Sequence, residues 1–204
     1  LGPMLVAAIV FLEPWQLALF FLLFVSVGLY EWAGLTGIRI SILRFVYVLS
    51  GVCIALFLWL SRDIWYWVVI ATSLVWAVAL VVVISYPRFL PGMKNSLVMG
   101  SLGWFVCIGG WVALNLIRQQ PDGRWMILWL FVVMAAADTG AYFAGRRFGS
   151  KKLLPNVSPG KTWEGVWGGL VLAVLIGHIV VAVSGLVSLF GLFGWLTLAV
   201  FVVA

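Results

Sequence analysis

Long apolar runs, separated by short polar segments, make up most of this chain. A helix needs about 20 apolar residues to cross a bilayer. A short run over residues 3–12 is followed by longer ones over 15–32, 45–60, 64–86, 97–117, 125–144, 159–184 and from 185 onward. Because lipid offers the backbone no hydrogen-bond partner, such runs fold as helices. The pattern predicts an all-α, polytopic integral membrane protein with about eight transmembrane helices, forming a single transmembrane domain over residues 1–204.

Composition agrees with a membrane protein. Only 9% of residues are charged, whereas soluble chains carry about 25%, and the mean hydropathy is +1.22. The net charge of +6 therefore needs no nucleic-acid partner. The first run is too short to span and the last one stops at Ala204. We therefore expect a fragment of a longer chain.

Lysine and arginine residues concentrate in alternate loops. The loops after the second, fourth and sixth predicted spans hold eight of the 12 basic residues, Lys161 follows at the start of the seventh span, and the remaining loops hold three. Loops rich in Lys and Arg face the cytosol. The long basic loop over residues 145–158 is therefore predicted to be cytoplasmic.

The polar stretch from Asp138 to Gly169 is where chemistry is expected. Asp138 lies seven residues before Gly145, which places it about 10 Å below the end of its helix. A carboxylate inside the membrane costs a few kcal/mol and usually has a cation, a metal ion or a water-filled cavity beside it. The alternative is an aspartate that serves helix packing alone.

Basic and hydroxyl residues follow this aspartate. Arg146 and Lys152 either bind phosphate or only set the membrane topology. Ser158 is predicted to cap a helix that starts at Pro159, which would put Lys161 and Thr162 in a first turn suited to phosphate.

Two glutamates and a group of glycines complete the candidates. Glu164, three residues beyond Lys161, could bind a metal ion or pair with that lysine. Glu31 ends the second span. An acidic side chain at such a position more often extends into water or pairs with the loop than serves a function. Gly165, Gly168 and Gly169 recur at helical spacing and favour close helix packing. Together these residues indicate phosphoryl or nucleotidyl transfer to a lipid, aided by Mg²⁺.

The run D-T-G-A-Y-F-A-G-R-R-F-G-S-K-K-L-L-P-N-V-S-P-G-K-T-W-E-G resembles the phosphatidate cytidylyltransferase (CDP-diacylglycerol synthase) family. The matching positions are Asp138, Thr139, Gly140, Ala141, Tyr142, Gly145, Arg146, Phe148, Gly149, Lys152, Leu153, Pro155, Ser158, Pro159, Lys161, Thr162, Trp163, Glu164 and Gly165. The pair Glu31-Trp32 also resembles that family.

The resemblance implies a reaction of CTP with phosphatidic acid, using Mg²⁺, that gives CDP-diacylglycerol and pyrophosphate. Asp138 would then bind or orient the metal, with Lys161 and Glu164 as further catalytic residues. The phosphate-binding residues would be Arg146, Lys152, Ser158, Lys161 and Thr162. Glu31 and Tyr142 would support the site. The resemblance also implies a multi-pass protein of the bacterial inner membrane, with its active site facing the cytosol and a homodimer as its assembly.

One family signature, S-x-x-K-R-x₄-K-D followed by H-G-G-x-x-D-R-x-D, would come after the eighth span and is absent from the chain. We therefore expect residues 1–204 alone to be inactive. Two other functions remain open at this point: a transporter or channel for an anionic solute, with Asp138 as a relay, and a CTP-dependent lipid kinase. A catalytically dead lipid- or nucleotide-binding protein is a further alternative.

Overall fold

The computed structural model describes residues 2–86, 95–155 and 157–184. Helices account for most of these ranges, and the polar stretch adds two short strands. The elements are α1 (Gly2–Phe11), α2 (Pro14–Leu35), α3 (Ser41–Leu60), a 3-10 helix (Arg62–Ile64), α4 (Trp65–Ile84), α5 (Ser96–Arg118), α6 (Gly123–Phe148), β1 (Lys152–Leu154), β2 (Ser158–Thr162) and α7 (Trp163–Ser184).

Six helices, α2 to α7, are long and apolar enough to cross a membrane. The prediction of an all-helical membrane protein is therefore confirmed, but the count of about eight spans is not supported. Helix α1 has only 10 residues, fewer than the roughly 17 that a span requires. The span predicted from Gly185 onward lies outside the described residues.

The described residues fall into two compact units, divided after Ile127. In the first unit, aromatic N–H and O–H groups donate hydrogen bonds to the backbone of neighbouring helices. Trp111 Nε1 on α5 lies 2.8 Å from the Ala18 carbonyl oxygen on α2. Tyr47 Oη on α3 lies 2.6 Å from the Gly100 carbonyl oxygen on α5. These rings fill the core and still satisfy their polar atoms.

In the second unit, α6 and α7 approach each other at glycines. A Cβ atom on Gly140 would meet the backbone of Gly168, and one on Gly169 would lie 2.8 Å from the Ala137 carbonyl oxygen. Trp129 Nε1 on α6 donates to the Gly177 carbonyl oxygen on α7 at 3.0 Å. Small residues let helix backbones come this close, so the predicted packing role of the α7 glycines is confirmed.

The structure corrects the prediction for the basic loop. Helix α6 continues to Phe148, so Arg146 lies in its last turn rather than in a loop. Asp138 therefore lies ten residues before the helix end, about 15 Å along the axis instead of 10 Å. Beyond the helix, β1 and β2 form an antiparallel hairpin in which Lys152 pairs with Thr162 and Leu154 with Ser158.

The predicted helix start at Ser158 is also wrong. Ser158 begins strand β2, and α7 starts only at Trp163. Pairing with β1 satisfies the backbone of this segment, and proline is tolerated in such a strand where its missing N–H is not needed. The cap comes from Thr162, whose Oγ1 accepts a hydrogen bond from Gly165 N at 3.2 Å. Lys161 consequently lies on a strand rather than in the first turn of a helix.

The close contact between α6 and α7 predicts unequal effects of two glycine substitutions. Gly140→Ala should destabilise the protein by about 1–3 kcal/mol because the new methyl group overpacks a backbone contact. Gly110→Ala is the matched control, since a Cβ atom there has nothing within 4 Å and the gain in helix propensity is the same. Thermal unfolding in detergent measures both. Equal melting temperatures for the two variants would contradict the contact.

Candidate active site

A cavity in the second unit brings Asp138 and Lys161 together. Its volume is about 270 Å³. Residues from α6, β2 and α7 line it: Ala137, Asp138, Ala141, Tyr142, Gly145, Gly160, Lys161, Thr162, Gly165, Val166 and Gly169. Asp138 and Lys161 thus line one cavity although 23 positions separate them in the chain.

Helical periodicity explains the α6 side of this cavity. Asp138, Tyr142 and Gly145 are spaced by four and three residues, which places them on one face of a helix. Gly145 packs against Thr162, because a Cβ atom there would be 3.3 Å from Thr162 Oγ1. The glycine therefore leaves room for the hairpin to bring Lys161 to the helix.

Thr162 fixes the junction between the hairpin and α7. Its side chain is only 6% exposed and caps the helix through Gly165 N. One residue further, Trp163 N donates to the Lys151 carbonyl oxygen at 3.0 Å. The first turn of α7, with its partial positive charge, therefore borders the same cavity as Lys161. This arrangement suits an anionic ligand.

Glu164 makes its contacts on the other side of this junction. Ser150 Oγ donates to Glu164 Oε1 at 2.6 Å. Lys151 N lies 3.1 Å from Oε1 and 3.3 Å from Oε2. The carboxylate therefore ties the chain before β1 to the start of α7. The catalytic role assigned to Glu164 from the sequence stays a prediction, but these bonds give the side chain a structural role.

Arg146 and Glu164 line a second groove of about 840 Å³, whose other lining residues include Phe143, Phe148 and Trp167. Arg146 Nη1 also donates to Tyr142 Oη at 2.8 Å. Arg146 therefore holds Tyr142, a lining residue of the first cavity, without lining that cavity itself.

The structure unites part of the predicted site. Asp138, Tyr142, Lys161 and Thr162 line one cavity. The other candidates do not occur among the lining residues that the structure describes: Glu31, Arg146, Lys152, Ser158 and Glu164. Glu31 lies near the end of α2 in the first unit.

The donor set limits what metal the cavity could hold. Within the described ranges, no three His, Cys, Asp or Glu side chains come close enough together to form a metal site. Asp138 is the carboxylate that the described lining provides. Mg²⁺ commonly uses one or two carboxylates, with water and substrate phosphates as its other ligands. A single aspartate therefore fits Mg²⁺ that arrives with a phosphate substrate.

Sequence reasoning missed Ser150 and Gly160. Ser150 forms a hydrogen bond with Glu164, which lies 14 positions further along the chain, and no local sequence pattern predicts such a bond. Gly160 lines the cavity beside Lys161, although the sequence placed it in the first turn of a predicted helix. A strand prediction at this position would have placed it beside Lys161 on the hairpin.

Comparison with known proteins identifies relatives of this chain. A model described as the cytidylyltransferase family matches residues 1–204. A phosphatidate cytidylyltransferase of Pseudomonas aeruginosa is 35% identical over 171 residues, covering 82% of this chain and 62% of that protein. One from Haemophilus influenzae is 34% identical over 176 residues, covering 77% and 61%. The chain thus spans about three-fifths of the length of these relatives. No solved structure matches it.

The hydrogen bonds of Glu164 should protect the backbone amides of the hairpin from hydrogen exchange, and their removal should reduce this protection. Glu164→Ala should speed amide exchange in residues 149–154 by about tenfold, because a hydrogen bond to a charged group contributes about 1.5–3 kcal/mol. Ser150→Ala should have a smaller effect. Hydrogen exchange followed by mass spectrometry measures the change. Lys151→Met is the control because only the backbone of Lys151 takes part. Equal exchange in Glu164→Ala and Lys151→Met would contradict this role.

Proposed function

The chain belongs to the cytidylyltransferase family, and we propose that it forms part of a phosphatidate cytidylyltransferase. Such an enzyme transfers CMP from CTP to phosphatidic acid and produces CDP-diacylglycerol and pyrophosphate. The observation that carries the proposal is the shared cavity of Asp138 and Lys161. Two relatives that match 82% and 77% of the chain bear the name of this enzyme.

The chemistry of the reaction explains why these residues would be needed. A phosphate oxygen of phosphatidic acid attacks the α-phosphorus of CTP and forms a new P–O bond. The bond from that phosphorus to the oxygen of the β-phosphate breaks, and pyrophosphate leaves. Both substrates are anionic, so positioning and charge neutralisation supply most of the catalysis.

Lys161 would bind phosphate oxygens through its ammonium group, since charge-assisted hydrogen bonds to phosphate are the strong ones. Gly160 and Gly145 flank it in the lining and leave space for a phosphate to approach the backbone. Tyr142 would contribute its hydroxyl group at the same wall, held by Arg146.

Asp138 would hold Mg²⁺, which when bound would neutralise and orient the phosphates. The carboxylate lies on a membrane-length helix, which fixes its position relative to Lys161. Arg146, Lys152, Ser158 and Glu164 lie on adjoining elements. The first three stay candidates for phosphate groups that extend beyond the cavity.

The location proposed for this reaction is the cytosolic face of the bacterial inner membrane. The alternation of basic loops supports the orientation, and the relatives are bacterial. A homodimer stays a prediction. The transporter or channel alternative is not favoured by the family, and a lipid kinase would transfer the γ-phosphate of CTP instead of CMP.

Replacing Lys161 tests the proposal in the full-length protein. Lys161→Met should lower kcat/KM by about 10²–10³, as expected for the loss of a group that stabilises developing charge. The assay follows the α-phosphate label of CTP into lipid, with Mg²⁺ and phosphatidic acid in detergent.

Lys151→Met is the matched control, because Lys151 is exposed and absent from the described lining of the cavity. Its activity should stay within about twofold of wild type, since surface substitutions away from a site have small effects. Wild-type protein that moves the γ-label but not the α-label into lipid would contradict the proposed transfer. Equal losses of kcat/KM in Lys161→Met and Lys151→Met would show that Lys161 has no specific role in the site.

A further inference from the structure

A second cavity, in the first unit, lies where three membrane-length helices begin or end. Its volume is about 200 Å³, room for roughly six water molecules at about 30 Å³ each. Its lining comes from the start of α2, the end of α3, the 3-10 helix that follows α3 and the end of α5: Pro14, Trp15, Trp59, Arg62, Asn115, Arg118 and Gln119. Ends of candidate spans mark the interface between the membrane and water.

Two arginines line this space, and each donates a single hydrogen bond among the residues that the structure describes. Arg62 Nε donates to the Trp59 carbonyl oxygen at 3.3 Å. Arg118 Nη2 donates to the Leu12 carbonyl oxygen at 3.3 Å, while Arg118 Nε is buried without a hydrogen-bond partner. A guanidinium carries five N–H donors, so both side chains can donate further hydrogen bonds to the oxygen atoms of a ligand.

No acid belongs to the described lining. Glu13, next to Pro14 in the sequence, takes part in the capping box of α2 and attracts Arg118 electrostatically, whereas Asp63, next to Arg62, is exposed. Arg62 also offsets the partial negative charge at the end of α3. That role leaves its other donors unused.

An aromatic ring covers one face of the exposed Arg62, and Arg118 is partly buried. The guanidinium of Arg62 lies 4.3 Å from the ring centre of Trp59, and Asn115 beside Arg118 is only 4% exposed. Partial burial and the nearby charge of Arg124 both disfavour the charge of Arg118, so a further anion at this guanidinium would be stabilising. Tryptophan at the interface sits at the level of lipid headgroups, and Trp15 at this cavity is 55% exposed.

We propose that this cavity is a binding site for a phosphate oxyanion, supplied by the headgroup of an anionic phospholipid or by free phosphate. The planar guanidinium groups of Arg62 and Arg118 match phosphate oxygens in pairs. Asn115 and Gln119 add amide groups to the same wall. The site is separate from the cavity of Asp138 and Lys161 and does not depend on the transferase proposal.

The test uses the full-length protein with two probes, phosphatidylglycerol and inorganic phosphate. Native mass spectrometry measures the affinity for phosphatidylglycerol, and a thermal shift measures the response to phosphate. Arg62→Gln is the main variant because its side chain is exposed and its loss should not disturb folding. Arg39→Gln removes the same charge from the segment that follows the other end of α2, and it serves as the control.

Arg62→Gln should weaken the binding of at least one probe by about tenfold, which corresponds to roughly 1.4 kcal/mol. Arg39→Gln should leave the binding of both probes unchanged. Weaker phosphatidylglycerol binding identifies the lipid headgroup as the source. A lost phosphate response with unchanged lipid binding identifies the free anion. Arg118→Gln, checked for folding by its melting temperature, should reproduce the effect. Identical behaviour of Arg62→Gln and Arg39→Gln towards both probes would overturn the site.

Discussion

The close approach of α6 and α7 is the constraint on which the candidate site depends. Gly140 and Gly168 bring the two backbones into contact, and Trp129 reaches across to the Gly177 carbonyl oxygen. Without water in the bilayer core, such packing and interhelical hydrogen bonds hold helices together. The contact fixes Asp138 relative to the start of α7, where Thr162 and Lys161 complete the cavity.

The hairpin between these helices completes the candidate site, because its strand β2 adds Lys161 and Thr162 to the lining of the cavity. Its ends are fastened by the Thr162 cap, by the backbone bond from Trp163 to Lys151 and by the bonds to Glu164. The neutral bonds contribute about 1 kcal/mol each and those to the charged Glu164 about 1.5–3 kcal/mol, which is small for the fold but large for a short segment. A cation held in this way can meet a phosphate without a large entropy cost. The first unit, with its aromatic hydrogen bonds, contains none of the lining of this cavity that the structure describes.

The sequence was sufficient for the helical class and for the long spans, because both are set by apolar runs, while the location of the chemistry in the polar stretch stays a prediction. It could not settle the hairpin. Ser158-Pro159 has the form of a helix start, and only pairing with β1 decides in favour of a strand. The bond between Ser150 and Glu164 and the grouping of Asp138 with Lys161 depend on contacts across 14 and 23 positions, which local patterns do not encode.

The central claim is that Asp138 acts in the chemistry and does not merely support helix packing. The most direct measurement is conversion of CTP to CDP-diacylglycerol by the full-length protein in detergent with Mg²⁺, comparing Asp138→Asn with Asp63→Asn, an exposed acid of the first unit. Conversion should fall by about 10²–10³ in Asp138→Asn, as for the loss of a charge-stabilising group, with its melting temperature unchanged and with Asp63→Asn fully active. Unchanged conversion by a folded Asp138→Asn protein would make Asp138 a structural residue and contradict the account.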